Sequence, residues 1–344
     1  MTPAEQANLL RYNGKPGFYE VYFVEVQDPD ERTGLWVRYT LKAPSRRGKP
    51  VVMELWAVAF DREDPGKNRA HKLTVPIEEA EISQDGFRVA IRDALIHQQG
   101  CVGSLGTGDA RISWDLRWDS GETLTHYPSP RMYKSRVFPK TKVISPHFDL
   151  RAHGHYTLGD TTYTLDGVPG QQSHVWGSQH AHRWIWAHCN TFEGSDAVFE
   201  GLTAQVRLGP IAAPALNMFA LRYQGQLRVF NQPAELTRLN ESRTEPVVDT
   251  TDYYPVSKWI VGGGDDELRF RAVIWSEADH YVGVEYEDPD GSPRVCCHSK
   301  VACMRLEILR YEGFNWRVAD TLVSKSAALE FAGREPDPRI PVMV

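Results

Sequence analysis

The segment GQQSHVWGSQHAHRWIWAHCNTF (residues 170–192) carries four of the chain's twelve histidines and three of its ten tryptophans. Its second half alternates. In an extended strand, residues two apart share a face. From 183 to 192 that places Trp184, Trp186, His188, Asn190 and Phe192 on one side, and Ile185, Ala187, Cys189 and Thr191 on the other. The small apolar side suits packing against a sheet or a second domain. The bulky, polar-studded side suits the lining of a barrel interior that is not fully packed. A filled core burying His and Asn without partners would lose about 1–3 kcal/mol per group. The preceding SHVWGSQHAH reads as a loop or the beginning of a strand.

Outward from this segment the same period recurs. FYEVYFVEV (18–26), GLWVRYTL (34–41), VVMELWAVAF (51–60) and ARISWDLRW (110–118) precede it. AVFEGLTAQVRL (197–208), NMFALRY (217–223), ELRFRAVIW (267–275), YVGVEYE (281–287) and KVACMRLEILRY (300–311) follow. Turn-forming stretches such as EGSD, YQGQ, GGGDD and DPDGSP separate them. Strands so numerous and closely spaced predict an all-β chain of two tandem β-barrels or sandwiches, residues 15–160 and 161–335. The proline-rich, basic stretch 126–150 is expected to connect the barrels. Short helices are expected in the first dozen residues and near SKSAALEFAG (324–333).

The chain has 344 residues, a net charge of −6 and a pI near 6.1. No basic footprint for nucleic acid is present. No apolar run is long enough for a membrane-spanning helix; transient contact with a membrane surface stays open, as does the oligomeric state. Five cysteines, two of them adjacent (Cys296 and Cys297), read as reduced thiols in a cytoplasmic protein.

Glu200 shares a face with Val198, Leu202 and Ala204 in the strand after RWIWAHCNTF. A tight hairpin would bring this carboxylate near His188 and Asn190, where it could act as an acid or orient a histidine. The pattern His-x-Trp-Gly, then His-Ala-x-x-Trp-x-Trp-x-x-x-Asn-x-Phe, resembles a family of lipocalin-like proteins: hydroxyneurosporene synthase (carotenoid 1,2-hydratase), AttH-like and tocopherol-cyclase-like proteins. GLWVRYTL with ELWAVAF, ISWDLRW, PKTKVISPHFDLRAHGHYTL and HSKVACMRLEI are weaker echoes. The resemblance implies two lipocalin-like barrels with a hydrophobic cavity at or between them, and cofactor-free hydration, cyclisation or rearrangement of apolar, often isoprenoid, substrates. The hydratases of that family place an Asp-His pair before Trp-Gly. Here Ser173 and His174 precede Val175, so the acidic member is absent.

The expected function is a cofactor-independent hydratase, cyclase or isomerase acting on a hydrophobic isoprenoid or polyketide-like molecule. His174, His188 and Glu200 are the acid/base candidates. Trp176, His180, Trp184, Trp186 and Asn190 are the substrate-binding candidates. Protonating an alkene makes a carbocation, which indole faces stabilise by about 1–2 kcal/mol when desolvated. The alternatives are a non-catalytic carrier of a lipid or metabolite, and a metalloenzyme. In the latter His180 and His182 would be joined by His188, His147, His153 or His155. Cys296, Cys297, His298 and Cys303 also raise zinc, although KVACMRLEI reads as a structural strand. Lys140 and Lys142 could meet an acidic head group, or could belong to a solvated loop.

Overall fold

The computed structural model describes residues 1–344 apart from 84, 120, 136–137, 209–210, 213–214, 233–240 and 247–256. One sheet contains β1 (Phe18–Asp28), β2 (Thr33–Ala43), β3 (Val52–Asp61), β4 (Arg69–Pro76), β5 (Ala80–Ile82), β6 (Arg88–Ile91), β7 (Ala94–His97), β8 (Gly100–Leu105), β9 (Ile112–Trp118), β10 (Leu124–Thr125), β11 (Thr141–Leu158) and β12 (Thr161–Gly177). β13 (Arg183–Cys189) and β14 (Val198–Gln205) begin the other. A small separate ribbon follows, β15 (Arg207–Leu208) with β16 (Ile211–Ala212). The second sheet then resumes with β17 (Leu216–Tyr223), β18 (Gln226–Phe230), β19 (Glu241–Pro246), β20 (Ser257–Gly264), β21 (Arg269–Trp275), β22 (Val282–Glu287), β23 (Pro293–Glu312) and β24 (Asn315–Gly333).

The strand orders are β4-β3-β2-β1-β12-β11-β9-β8-β7-β6-β5 and β18-β17-β14-β13-β24-β23-β21-β20-β19. They trace the same path. In each half the first strand pairs with the last, and a short strand (β10 or β22) joins the penultimate one. The halves are topological repeats, in which the strand of RWIWAHCNTF corresponds to β1. Both sheets curl into barrel-like, antiparallel layers, as the lipocalin-like expectation required. The first runs through Gly177, whereas the sequence reading divided the chain at 160/161. Residues 178–182 link the two. The stretch 126–150 is therefore not the connector: it supplies α2 (Pro130–Lys134) and the beginning of β11 within the first half.

Each barrel is filled by the inward side of its strands. Tyr22, Val24 and Val26 of β1 pack with Val37 and Tyr39 of β2 and with Leu55 and Ala57 of β3. In the second barrel Ile185, Ala187 and Cys189 face Phe199, Phe219, Trp259 and Phe270. The two sides of Arg183–Cys189 are thus grouped as the sequence indicates but point the opposite way, while Phe192, beyond the strand's end, leaves its expected side and joins the interior core. Large rings from neighbouring strands already fill the interior, so β13 contributes small residues there. Its bulky side turns outward to the other barrel.

The N-terminal helix is present, as α1 (Pro3–Ala7), with Thr2 and Glu5 forming a capping box. Residues 324–333 are strand, not helix. Ala327, Leu329 and Phe331 alternate into the barrel, and that pairing overrides the helical preference of Ala and Leu. Among the described residues no helix is long and apolar enough to cross a membrane. All five cysteines are free thiols.

The barrels dock through their outer faces. Trp36, Trp56, Val58 and Phe60 of the first meet Val282, Val284, Tyr286 and Cys296 of the second. Beside this apolar contact, Lys300 of β23 is wholly buried. Its Nζ lies 2.6 Å from Glu25 on β1 and 3.1 Å from Glu330 on β24. Burial works against all three charges. The two carboxylates nonetheless hold the Lys300 pKa above its ordinary value.

Gly34 approaches this point closely. A Cβ there would stand 2.7 Å from Lys300 Cβ and 3.2 Å from its carbonyl oxygen. Gly34→Ala is expected to lower stability by about 1–3 kcal/mol through overpacking. Lys300→Met is expected to cost about 3–5 kcal/mol by stranding two buried carboxylates. Adding Glu25→Gln and Glu330→Gln should recover most of the Lys300→Met loss. Urea unfolding midpoints at neutral pH check all three.

Candidate active site

Where the outer faces diverge they leave a cavity of about 550 Å³. Its apolar wall comes from Val21 and Phe23 of β1, Trp36 of β2, Trp184 and Trp186 of β13, Leu202 of β14 and Met218 of β17. Tyr127, Phe138 and Pro139 from the proline-rich stretch form another side. Polar side chains, among them Arg38, His180, Arg294, His298 and Glu330, are set into this lining, and apolar surface with convergent polar groups is the usual composition of a small-molecule site.

One polar unit is His180 with Asp288. His180 lies on the 178–182 link, and Asp288 follows β22 in the turn DPDG. Asp288 Oδ1 accepts the His180 backbone N–H at 2.9 Å and Nδ1–H at 2.7 Å. Its Oδ2 lies 3.0 Å from Arg294. The imidazole stacks on Tyr19, with centroids 4.1 Å apart, and on Trp184 at 5.6 Å. With Nδ1–H committed to Asp288, Nε2 carries the lone pair. Burial pushes the His180 pKa below its ordinary value, with Asp288 opposing. Burial alone would raise Asp288; the His180 hydrogen bonds and Arg294 hold it below the usual carboxylate range.

A second unit runs along the wall from Tyr286 to Lys300. His298 Nδ1 is 2.9 Å from Glu330 Oε1, and Nε2 is 2.6 Å from the Tyr286 hydroxyl. Despite burial, His298 and Lys300 hold Glu330 well below the ordinary range. The proton therefore belongs on His298 Nδ1, and Tyr286 donates to Nε2. Burial keeps the Tyr286 phenol far above its usual pKa, hence neutral.

The sequence candidates divide. His180, Trp184 and Trp186 line the cavity. His174 and Trp176 do not, because they point to the opposite side of β12 from Ser173 and Val175. His174 Nδ1 donates to the Ala7 carbonyl at 2.6 Å, Nε2 is 2.9 Å from Glu20, and the ring stacks on Tyr22. Trp176 packs with Ala7 and Ile144. His188 and Asn190 lie further along the docking face. His188 Nε2–H donates to the Phe148 carbonyl at 2.9 Å. Asn190 Nδ2 donates to Asp149 and to the Gly170 carbonyl.

Glu200 is opposite His188 in the hairpin register, as the tight-hairpin reading supposed. The histidine bonded to it is a different one, His126. Ser145 and the Trp186 indole N–H (3.1 Å) complete its shell. Glu200 therefore stands one layer behind the wall and fixes the Trp186 ring. Its carboxyl is pushed up by burial and brought down further by His126.

Asp288, Tyr286, Glu330 and Arg38 escaped the sequence reading. DPDG was read only as a turn. His298 was weighed only with cysteines, although a strict period of two through Cys296, His298 and Lys300 places all three on one side of β23. Among the described residues, the group able to share a metal ion is Cys296, His298 and Glu330, with ligand atoms within 4.8 Å of one another. Lys300 already engages one oxygen of this carboxylate, Glu330 Oε1, at 3.1 Å. His180 and His182 are not part of that group.

The sequence profile described as tocopherol cyclase-like matches residues 71–333. The uncharacterized protein Rv0493c of Mycobacterium tuberculosis H37Rv is 25% identical over 323 residues, spanning 92% of this chain and 88% of the relative. The uncharacterized protein MT0513 of strain CDC 1551 matches equally. The crystal structure of an AttH candidate from Nitrosomonas europaea superposes with a TM-score of 0.59 at 12% identity, covering 97% of this chain and 100% of that one. That likeness concerns the fold. The matched profile, spanning most of both barrels and the link that carries His180, places this chain in the tocopherol cyclase-like family.

Proposed function

We propose that the chain is a cyclase- or hydratase-type enzyme that adds an O–H group across a carbon–carbon double bond of a hydrophobic molecule in the inter-barrel cavity. The observation that supports this is a His-Asp pair, its carboxylate wholly buried, beside the aromatic rings of the cavity wall. An apolar chain would lie against Trp36, Trp184, Trp186 and Leu202. Neutral His180 takes the proton of a hydroxyl through Nε2 as its oxygen bonds to carbon. The hydroxyl is the substrate's own in cyclisation and water's in hydration. The imidazolium, steadied by Asp288, then delivers that proton to the neighbouring carbon, which closes the balance without a cofactor. Attack by oxygen ahead of the proton builds negative charge on the neighbouring carbon, so the double bond is one conjugated to an electron-withdrawing group that can hold that charge until the imidazolium protonates it. Moving a double bond would use the same shuttle without adding oxygen.

A carrier needs the cavity but not the proton shuttle. The assay substrate is the apolar metabolite recovered by solvent extraction of the purified protein, or its precursor. His180→Asn is expected to lower turnover at least ~100-fold while leaving affinity within a few-fold. Because the neutral imidazole is the active form and burial lowers its pKa, activity should fall with acid only below the ordinary histidine value of about 6.5. Asp288→Asn removes the anion that opposes this shift, so the acid limb should move lower still while turnover drops. Full activity in both variants would remove the shuttle; recovery of an unaltered metabolite with no turnover would favour the carrier.

A further inference from the structure

We infer that the molecule held in this cavity carries an acidic head group, of the carboxylate class, and that Arg38 binds it. This rests on the cavity being the substrate site. Arg38 projects from β2 into the cavity wall and is 5% exposed. Its Nε–H donates to Thr40 Oγ1 at 2.8 Å. Its guanidinium carbon stands 4.0 Å from the centre of the Tyr286 ring, and Trp56 flanks it at 5.7 Å. Every one of these neighbours is neutral. Among the described residues no carboxylate pairs with it.

The contrast with other cations nearby is direct. Arg294, in the same wall, has Asp288 at 3.0 Å. Lys300, beneath it, has Glu25 and Glu330. Lys142 is also buried without a carboxylate, but burial lowers its pKa and a lysine can shed its proton. A guanidinium cannot. Burying it unpaired is costly, and ring faces compensate only partly. An anionic oxygen pair arriving with the ligand would complete the set in fork geometry. The wall's own carboxylate, Glu330, does not compete, because His298 and Lys300 already engage it.

The test compares retinoate with retinol, which share an isoprenoid chain and differ in the head group, by quenching of tryptophan fluorescence. The native protein should bind retinoate at least ~10-fold tighter than retinol. Arg38→Met should bring the ratio to about one by weakening the acid alone, and Arg38→Lys should retain part of the preference. Equal affinities in the native protein, or a preference that survives Arg38→Met, would overturn the head-group assignment while leaving the cavity reading intact. Failure of both compounds to bind the native protein would overturn both readings.

Discussion

The contact on which this molecule depends is the buried bridge from Glu25 through Lys300 to Glu330. It joins the first strand of one barrel to the last hairpin of the other. Three charges without water are expensive, so the arrangement persists only if each has a partner and the barrels stay docked. That cost confers directionality. An apolar interface alone tolerates sliding, whereas an ammonium between two carboxylates fixes one register. The same Glu330 oxygen anchors His298, which holds the Tyr286 hydroxyl. Docking and the polar wall of the cavity are thus one network.

The repeated topology explains where the cavity lies. In each half the first strand closes against the last, which brings β1 and β12 together in one barrel and β13 and β24 in the other. Those strands supply much of the docking face. The interiors are packed solid, the second by Phe199, Phe219, Trp259 and Phe270. A ligand cannot enter there without evicting rings. The cavity of about 550 Å³ lies where two convex, twisted sheets meet and part, and that space receives the outward Trp184 and Trp186.

Much of this was legible in the sequence. The period of two gave the strands, the aromatic cluster marked the cavity wall, and the motif around His180 identified the family. The inward or outward sense of β13 was not, because alternation is symmetric and only the bulk of partner strands decides it. His174 and His188 drew attention as histidines on a rich strand, yet backbone carbonyls and Glu20 account for their bonds. Asp288 was hidden for a different reason. A turn sequence reveals a bend, but not that its first carboxylate folds back under a link more than a hundred residues earlier.

The polar groups of the site therefore come from segments that no single barrel could bring together. His180 belongs to the link between the halves, Asp288 and Arg294 flank a turn in the second, and Arg38 rises from the first. Tyr19, which stacks on His180, is also from the first. The orientation of His180 is defined only when both barrels and their link are in place. Loosening the interface at Gly34 or Lys300 should therefore disturb the His180–Asp288 geometry before either barrel unfolds, since each retains its own filled core. In such a molecule the docking interface also sets the geometry of the cavity's polar wall.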